Sequence, residues 1–152
     1  MNGSILRCVS LSSILLSLST FAQLPQYQLD LQWPRIPMGD NWLTGGIGGM
    51  CIDRRDHVFL LNRQNVVEAD LDGAKLAPPI IELNPQGEVV RGWGDSEVLG
   101  PRLHDCHVEQ DGSIWVVAAG TGYIQKYSHD GSEMLMRIGP VSYTHLTLPT
   151  KA

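Results

Sequence analysis

The groups in this 152-residue chain that could ligate a metal or transfer a proton are five histidines, three cysteines and sixteen carboxylates. Two side chains break an internal repeat set out below: Gly48 stands opposite His104 and Ala119 opposite Arg63. A position that departs from its own repeat serves a site more readily than a scaffold. An imidazole can hold a Lewis-acid metal, and a planar guanidinium can grip a carboxylate. Each residue also has a plainer reading. A lone His is more often a surface or packing residue, and Arg63 could pair with Glu68 or Asp70 at the surface. His107 follows His104 by three residues, a spacing that sends two rings to opposite faces of a regular strand and argues against their chelating one ion. His57, beside a hairpin turn, and His129, within one, are expected in solvent.

Other motifs carry less chemistry. Gly45-Gly46-Ile47-Gly48-Gly49 lacks the Lys-Ser/Thr of a phosphate loop and leads into a strand, so it reads as a place where backbones approach closely. Trp33, Trp42, Trp93 and Trp115 could line a sugar groove, but Trp93 and Trp115 fall at repeat positions and suit packing between sheets. The carboxylates are scattered at turns and form no acid/base pair of the glycosidase kind. Met50 aligns with Cys106, so Cys51 and Cys106 point to opposite sides of corresponding strands. With packed sheets about 10 Å apart and a disulfide limited to a Cα separation of about 7 Å, two free, buried thiols are expected.

These residues sit between two ends that read differently. Residues 1–22 carry Arg7 as their one charge, then an apolar, Ser-rich run closing on Thr20-Phe21-Ala22, the pattern of a secretory signal peptide too short for a stable membrane span. A secreted or periplasmic protein is expected. Residues 141–152 match no repeat and read as a non-native, adapter-derived tail. Setting both ends aside removes Arg7 and Lys151 from the 11 cations and none of the 16 acids, which argues against nucleic acid as a partner. At 43% apolar and 18% charged residues, the remainder is neither disordered nor collagen-like.

Residues 23–45 form an N-terminal segment, and 46–140 hold the repeat. Gly49 to Leu61 lies on Asp105 to Val117 without a gap, and Ile81 to Gly87 lies on Gln125 to Gly131. The first copy carries an insertion between Asn62 and Pro79. Repeats of roughly 40 to 50 residues indicate propellers or solenoids. Each copy reads as four short strands, at 48–53, 57–61, 79–83 and 88–93, then at 104–109, 113–118, 122–127 and 133–138. The apolar runs are short, rich in β-branched and aromatic residues, and bounded by turns such as Asp111-Gly112 and Asn84-Pro85-Gln86-Gly87. Four antiparallel strands per repeat make a propeller blade. Two blades cannot close a ring, so the apolar faces of 50–61 and 106–117 ask for neighbours on both sides. The expectation is an all-β, truncated propeller domain of about two blades, inactive by itself and prone to aggregate through its open faces.

The string from Gly49 through Ile52-Asp53 to Val58-Phe59-Leu60-Leu61, with its partner, resembles NHL repeats, the blades of six-bladed propellers. Over residues 46–139 the chain is similar to propeller lyases that cleave peptidyl-α-hydroxyglycine to a peptide amide and glyoxylate. The family features and their counterparts are an Arg closing a second strand (Arg63), Pro-Pro opening the next strand (Pro78-Pro79), a strand ending in Trp-Gly (Trp93-Gly94), and a zinc-ligand His before an inner strand (His104). The resemblance implies that His104 is one of three imidazole ligands to zinc and that Arg63 is a catalytic residue holding the carboxylate or the developing charge. It also implies a structural calcium held by the backbone carbonyls of Met50 and Cys106. Arg63 and His104 would then share one mouth, since the end of one antiparallel strand and the start of the strand it pairs with lie at the same edge. The chain differs from the family pattern at Asn62, Asp105-Cys106 and Ala118-Ala119.

Three functions follow from this reading. The first is a metal-dependent carbon–nitrogen lyase. The second is a non-catalytic NHL propeller binding a peptide, glycan or protein partner, with a small peptide or small molecule at its mouth in either case. A calcium-dependent lactone hydrolase would need a channel-facing set of acids and Asn that these two blades lack.

Overall fold

The computed structural model describes residues 24–140. The signal-peptide reading of 1–22 and the tail reading of 141–152 fall outside that range. The strands are β1 (Trp42–Leu43), β2 (Ile47–Ile52), β3 (Val58–Asn62), β4 (Lys75–Leu76), β5 (Ile80–Leu83), β6 (Val89–Trp93), β7 (Leu103–Val108), β8 (Ile114–Ala118), β9 (Tyr123–Tyr127) and β10 (Met134–Ile138). A four-residue helix, α1 (Ser96–Leu99), links the two halves. The chain is all-β, built on two four-stranded antiparallel sheets ordered β2-β3-β5-β6 and β7-β8-β9-β10. All eight strands expected from the repeat are present, each end within one residue of its expected place. Among the described residues, no helix is long and apolar enough to cross a membrane.

Turn chemistry sets these boundaries. Asp53 Oδ1 accepts the backbone N–H of Arg55 (2.8 Å) and of His57 (2.9 Å), which closes the β2–β3 hairpin. Asn84 and Asp111 do the same after β5 and before β8. Such side chains mimic a backbone turn and stop the strand. The insertion between β3 and β5 holds a short 3₁₀ turn (Glu68–Asp70) and β4, which pairs in parallel with β1.

The main core lies between the sheets. Phe59, Leu61 and Ile80 of the first meet Leu103, Ile114, Val116, Ala118 and Tyr127 of the second, with Leu99 closing one end. Trp93 joins this core beside Tyr127, as its repeat position suggests. A second cluster covers the other face of the first sheet: Trp33, Met38 and Trp42 pack over Leu60, Ala77, Ile81 and Leu83. The sequence pattern asks for a neighbour on both flanks, but the N-terminal segment covers one of them. Met50 and Ile52 at the rim of that face stay open, at 64% and 58% exposure. The outer face of the second sheet has no such cover, and Ile124, Met136 and Ile138 are exposed there.

The expectation of free thiols is wrong: Cys51 and Cys106 form a disulfide with Cα atoms 5.6 Å apart. Opposite faces of corresponding strands are what two stacked sheets require, because the front of one meets the back of the next. The 10 Å sheet spacing does not apply where β2 and β7 converge. A Cβ on Gly48 would lie 1.9 Å from the Leu103 carbonyl oxygen, and one on Gly49 would lie 2.5 Å from that of His104. Only glycine allows so close an approach, as the Gly-rich run suggests. The bond spans 55 residues of sequence, so the Cys51→Ala/Cys106→Ala double variant should lose about 4 kcal/mol of unfolding free energy, read as a lower urea midpoint.

Candidate functional site

Arg63 follows β3, and its backbone N–H donates to Gly46 O at 3.0 Å. Its Nε donates to Leu103 O, also at 3.0 Å, bridging the sheets at the start of β7. Among the described residues it forms no ion pair with Glu68, Asp70 or any other acid. With Nε committed, the terminal nitrogens of the guanidinium are left for a ligand. A cleft of about 320 Å³ opens beside them, lined by Asn62, Arg63, Gln64, Ser96, Pro101 and Leu103 among others.

His104 is exposed and follows directly on the carbonyl that Arg63 holds. It sits in a β-bulge: Leu103 pairs with Ala118 and Asp105 with Val117, leaving His104 as the extra residue. The first sheet has the same irregularity at Gly48, between the Ile47–Asn62 and Gly49–Leu61 pairs. A bulge breaks the two-residue alternation and re-aims a side chain. Leu103 and Cys106 therefore both face the first sheet although they stand three apart. The same break removes the spacing objection to His104 and His107, both of which are exposed. The imidazole of His104 has no hydrogen-bond partner among the described residues, so its donor atoms are free for a ligand.

The carbonyls of Met50 and Cys106 can be placed by hydrogen-bond parity. Asp53 N–H donates to His57 O (3.0 Å) and Glu109 N–H to Ser113 O (2.8 Å). Counting back in twos puts the Met50–Leu60 and Cys106–Val116 pairs at non-hydrogen-bonded positions, where both backbone groups turn away from the partner strand. β2 and β7 are edge strands, so neither carbonyl is used by a ladder. Calcium takes six to eight oxygens, and these two would supply part of that shell.

Asn62 builds the ground under Arg63. Buried at 1% exposure, it accepts from the N–H groups of Gly45 (2.8 Å) and Gln64 (3.1 Å) and donates to the carbonyls of Ala77 (2.9 Å) and Pro78 (3.1 Å). Four bonds thus fix the chain on both sides of Arg63.

The opposite end of the sheets holds a polar group that reading by motif misses. Glu82 is fully buried in β5, with His57 Nδ1 2.6 Å and Arg91 Nε 2.8 Å away. The Arg91 contact is an ion pair without hydrogen-bond geometry, so Glu82 Oε2 counts as unbonded. His129 enters from the second sheet, its ring nearly perpendicular to that of Phe59. His57 and His129 are thus half-buried, not in solvent as expected, with side-chain exposures of 18% and 26%. The signal for this group is the lone acid in the apolar run Ile80-Ile81-Glu82-Leu83, since a buried carboxylate needs cationic partners. Burial raises the pKa of the Asp53 carboxyl, but the N–H groups of His57 and Arg55 and the Arg55 guanidinium outweigh it and hold the pKa below 3.8. The hydroxyls and N–H of Ser128 and Ser132 hold Asp130 well below the usual carboxylate range.

Two measurements test this account. Asn62→Ala strands several buried backbone groups and should cost about 2 to 4 kcal/mol in urea unfolding, while circular dichroism of any folded fraction stays β-rich. Asp53 has a folded pKa below its unfolded one, so its contribution is complete above about pH 4 and drains away as pH falls. The urea midpoint should therefore drop on acidification, and Asp53→Asn should flatten that drop.

Compared with known proteins, the chain matches no family model and none of the curated proteins.

Proposed function

We propose that the two sheets are neighbouring blades of a six-bladed NHL-type propeller, and that the mouth carrying Arg63 and His104 serves a metal-dependent carbon–nitrogen lyase acting on a peptidyl-α-hydroxyglycine. The observation that carries this reading is the matched bulge. Both sheets break register at the same repeat position, yet the second places a free imidazole there, next to the carbonyl on which Arg63 is anchored. Further support comes from the motifs around Arg63, Pro78-Pro79, Trp93-Gly94 and His104, and from the open outer face of the second sheet, which suits a further blade. The disulfide supports export into an oxidising compartment.

In the cleavage, the substrate hydroxyl loses its proton, the C–N bond breaks, glyoxylate leaves, and the amide nitrogen gains a proton. His104 would provide one ligand to a zinc ion, which when bound would supply Lewis-acid activation of that hydroxyl. The Arg63 terminal nitrogens hold the carboxylate in a fork, which fixes the reacting carbon against the mouth. The Met50 and Cys106 carbonyls would supply part of a calcium shell. A second reading, a propeller that binds carboxylate-bearing peptides without catalysis, is favoured by one observation: among the described residues, β7 offers His104 and His107 but no third imidazole beside them, short of the three that the resemblance implies.

The test uses Zn²⁺ and an N-acylglycine as probes, followed by NMR of side-chain signals, with glyoxylate release measured in parallel. Zn²⁺ should shift the His104 ring, and His104→Ala should remove that response. The acylglycine should shift the Arg63 guanidinium, and Arg63→Lys should weaken its binding by about tenfold or more. Release that survives both Arg63→Ala and His104→Ala excludes this lyase site. Binding lost in Arg63→Ala, with no release from any form, selects the binding reading. No shift at either residue overturns both.

A further inference from the structure

The end of the sheets away from Arg63 holds a group that neither reading uses. Asp53, His57 and Glu82 of the first sheet each place one donor atom within 4.8 Å of the others. His129 joins from the second sheet, its Nε2 3.8 Å from Asp53 Oδ2 and 3.7 Å from Glu82 Oε1. We propose that these four side chains form a site for a divalent transition-metal ion of the zinc type, and that the Arg55 guanidinium occupies its cation position.

Three features support this assignment. First, three of the four donors are already oriented from behind, and the fourth, His57 Nδ1, lies 2.6 Å from Glu82 Oε1 and becomes a ligand once the proton between them moves to Nε2. Asp53 Oδ1 is taken by the backbone N–H groups of Arg55 and His57, which leaves Oδ2 toward the group. His129 Nδ1 lies 3.0 Å from Gly112 O. A carbonyl only accepts, so Nδ1 carries the proton and Nε2 presents its lone pair inward. Arg91 Nε sits on Glu82 Oε2 and leaves Oε1 facing the others. Metal-binding imidazoles and carboxylates are held by outer-shell contacts of this kind.

Second, a cation already stands where the ion would go. Arg55 Nη2 is 2.5 Å from His129 Nε2, 3.2 Å from Asp53 Oδ2 and 3.8 Å from Glu82 Oε1. Third, that cation can leave. The Arg55 side chain is 59% exposed, against 5% for Asp53 and 0% for Glu82. It borders a cleft of about 340 Å³ lined in part by Asp53, Arg54, Gly112 and His129, which gives it room to turn out and gives an ion a way in. Two carboxylates balance Arg55 and Arg91, so exchanging the guanidinium for a divalent ion changes the local charge by one. Two imidazoles with two carboxylates suit zinc, whereas calcium and magnesium favour oxygen alone.

The experiment titrates Zn²⁺ and Co²⁺ into the full chain and its Arg55→Ala variant, reading affinity by calorimetry and the Co²⁺ site by its visible absorption. Arg55→Ala should bind Zn²⁺ at least about tenfold more tightly than the parent and give the intense Co²⁺ bands of a four-coordinate site. Adding His129→Ala or Glu82→Gln to Arg55→Ala should remove that gain, while adding His104→Ala should leave it, which separates this site from the mouth. If Arg55→Ala fails to fold, Arg55→Gln, similar in reach and uncharged, takes its place with the same readings. A folded Arg55 variant with no gain in affinity, or a gain that persists without His129, overturns the proposal and leaves the group as an ion-pair network.

Discussion

The architecture depends on how closely β2 and β7 approach. Sheets that pack face to face normally stand about 10 Å apart, but here the inner strands come near enough that glycine is required at positions 48 and 49 and a disulfide can form beside them. That convergence makes the space between the sheets a wedge. The narrow side is pinned covalently and by the Arg63 to Leu103 bond, while the body is filled by Phe59, Leu61, Ile80, Ile114 and Val116. The wedge keeps Arg63 and His104 at one end and the Glu82 group at the other.

The two ends use polar groups in opposite ways. At the Arg63 end, a fully satisfied Asn62 holds the backbone and leaves exposed side chains with spare donors. At the Glu82 end, the charges are turned inward and balanced against one another across the sheet boundary. The first arrangement presents groups to solvent. The second withholds them, and Arg55 is its one largely exposed member.

Much of this fold is legible in the residues. Short β-branched and aromatic runs between Asp, Asn and Gly turns give all eight strands, because a two-residue period and turn chemistry are local properties. The Gly45 to Gly49 run likewise announces close backbone contact. Contacts between sheets are harder to read. The cysteine pairing turns on which faces meet across the wedge, and the relation between His104 and His107 turns on a bulge that no local pattern signals. His57 and His129 look like turn residues in sequence, but stacking the sheets brings them together over Glu82. The lone acid in β5 is the one trace of that group in the sequence.

The Trp33, Met38 and Trp42 cover has a consequence for assembly. It leaves the first sheet sealed behind and sticky in front, while the second sheet is satisfied behind and apolar in front. Stacking therefore has a polarity: the first sheet offers a finished template, and the second can condense onto its apolar front as the chain leaves the ribosome. An N-terminal lid of this kind acts as a primer, fixing which face of the first sheet is left for the second to meet.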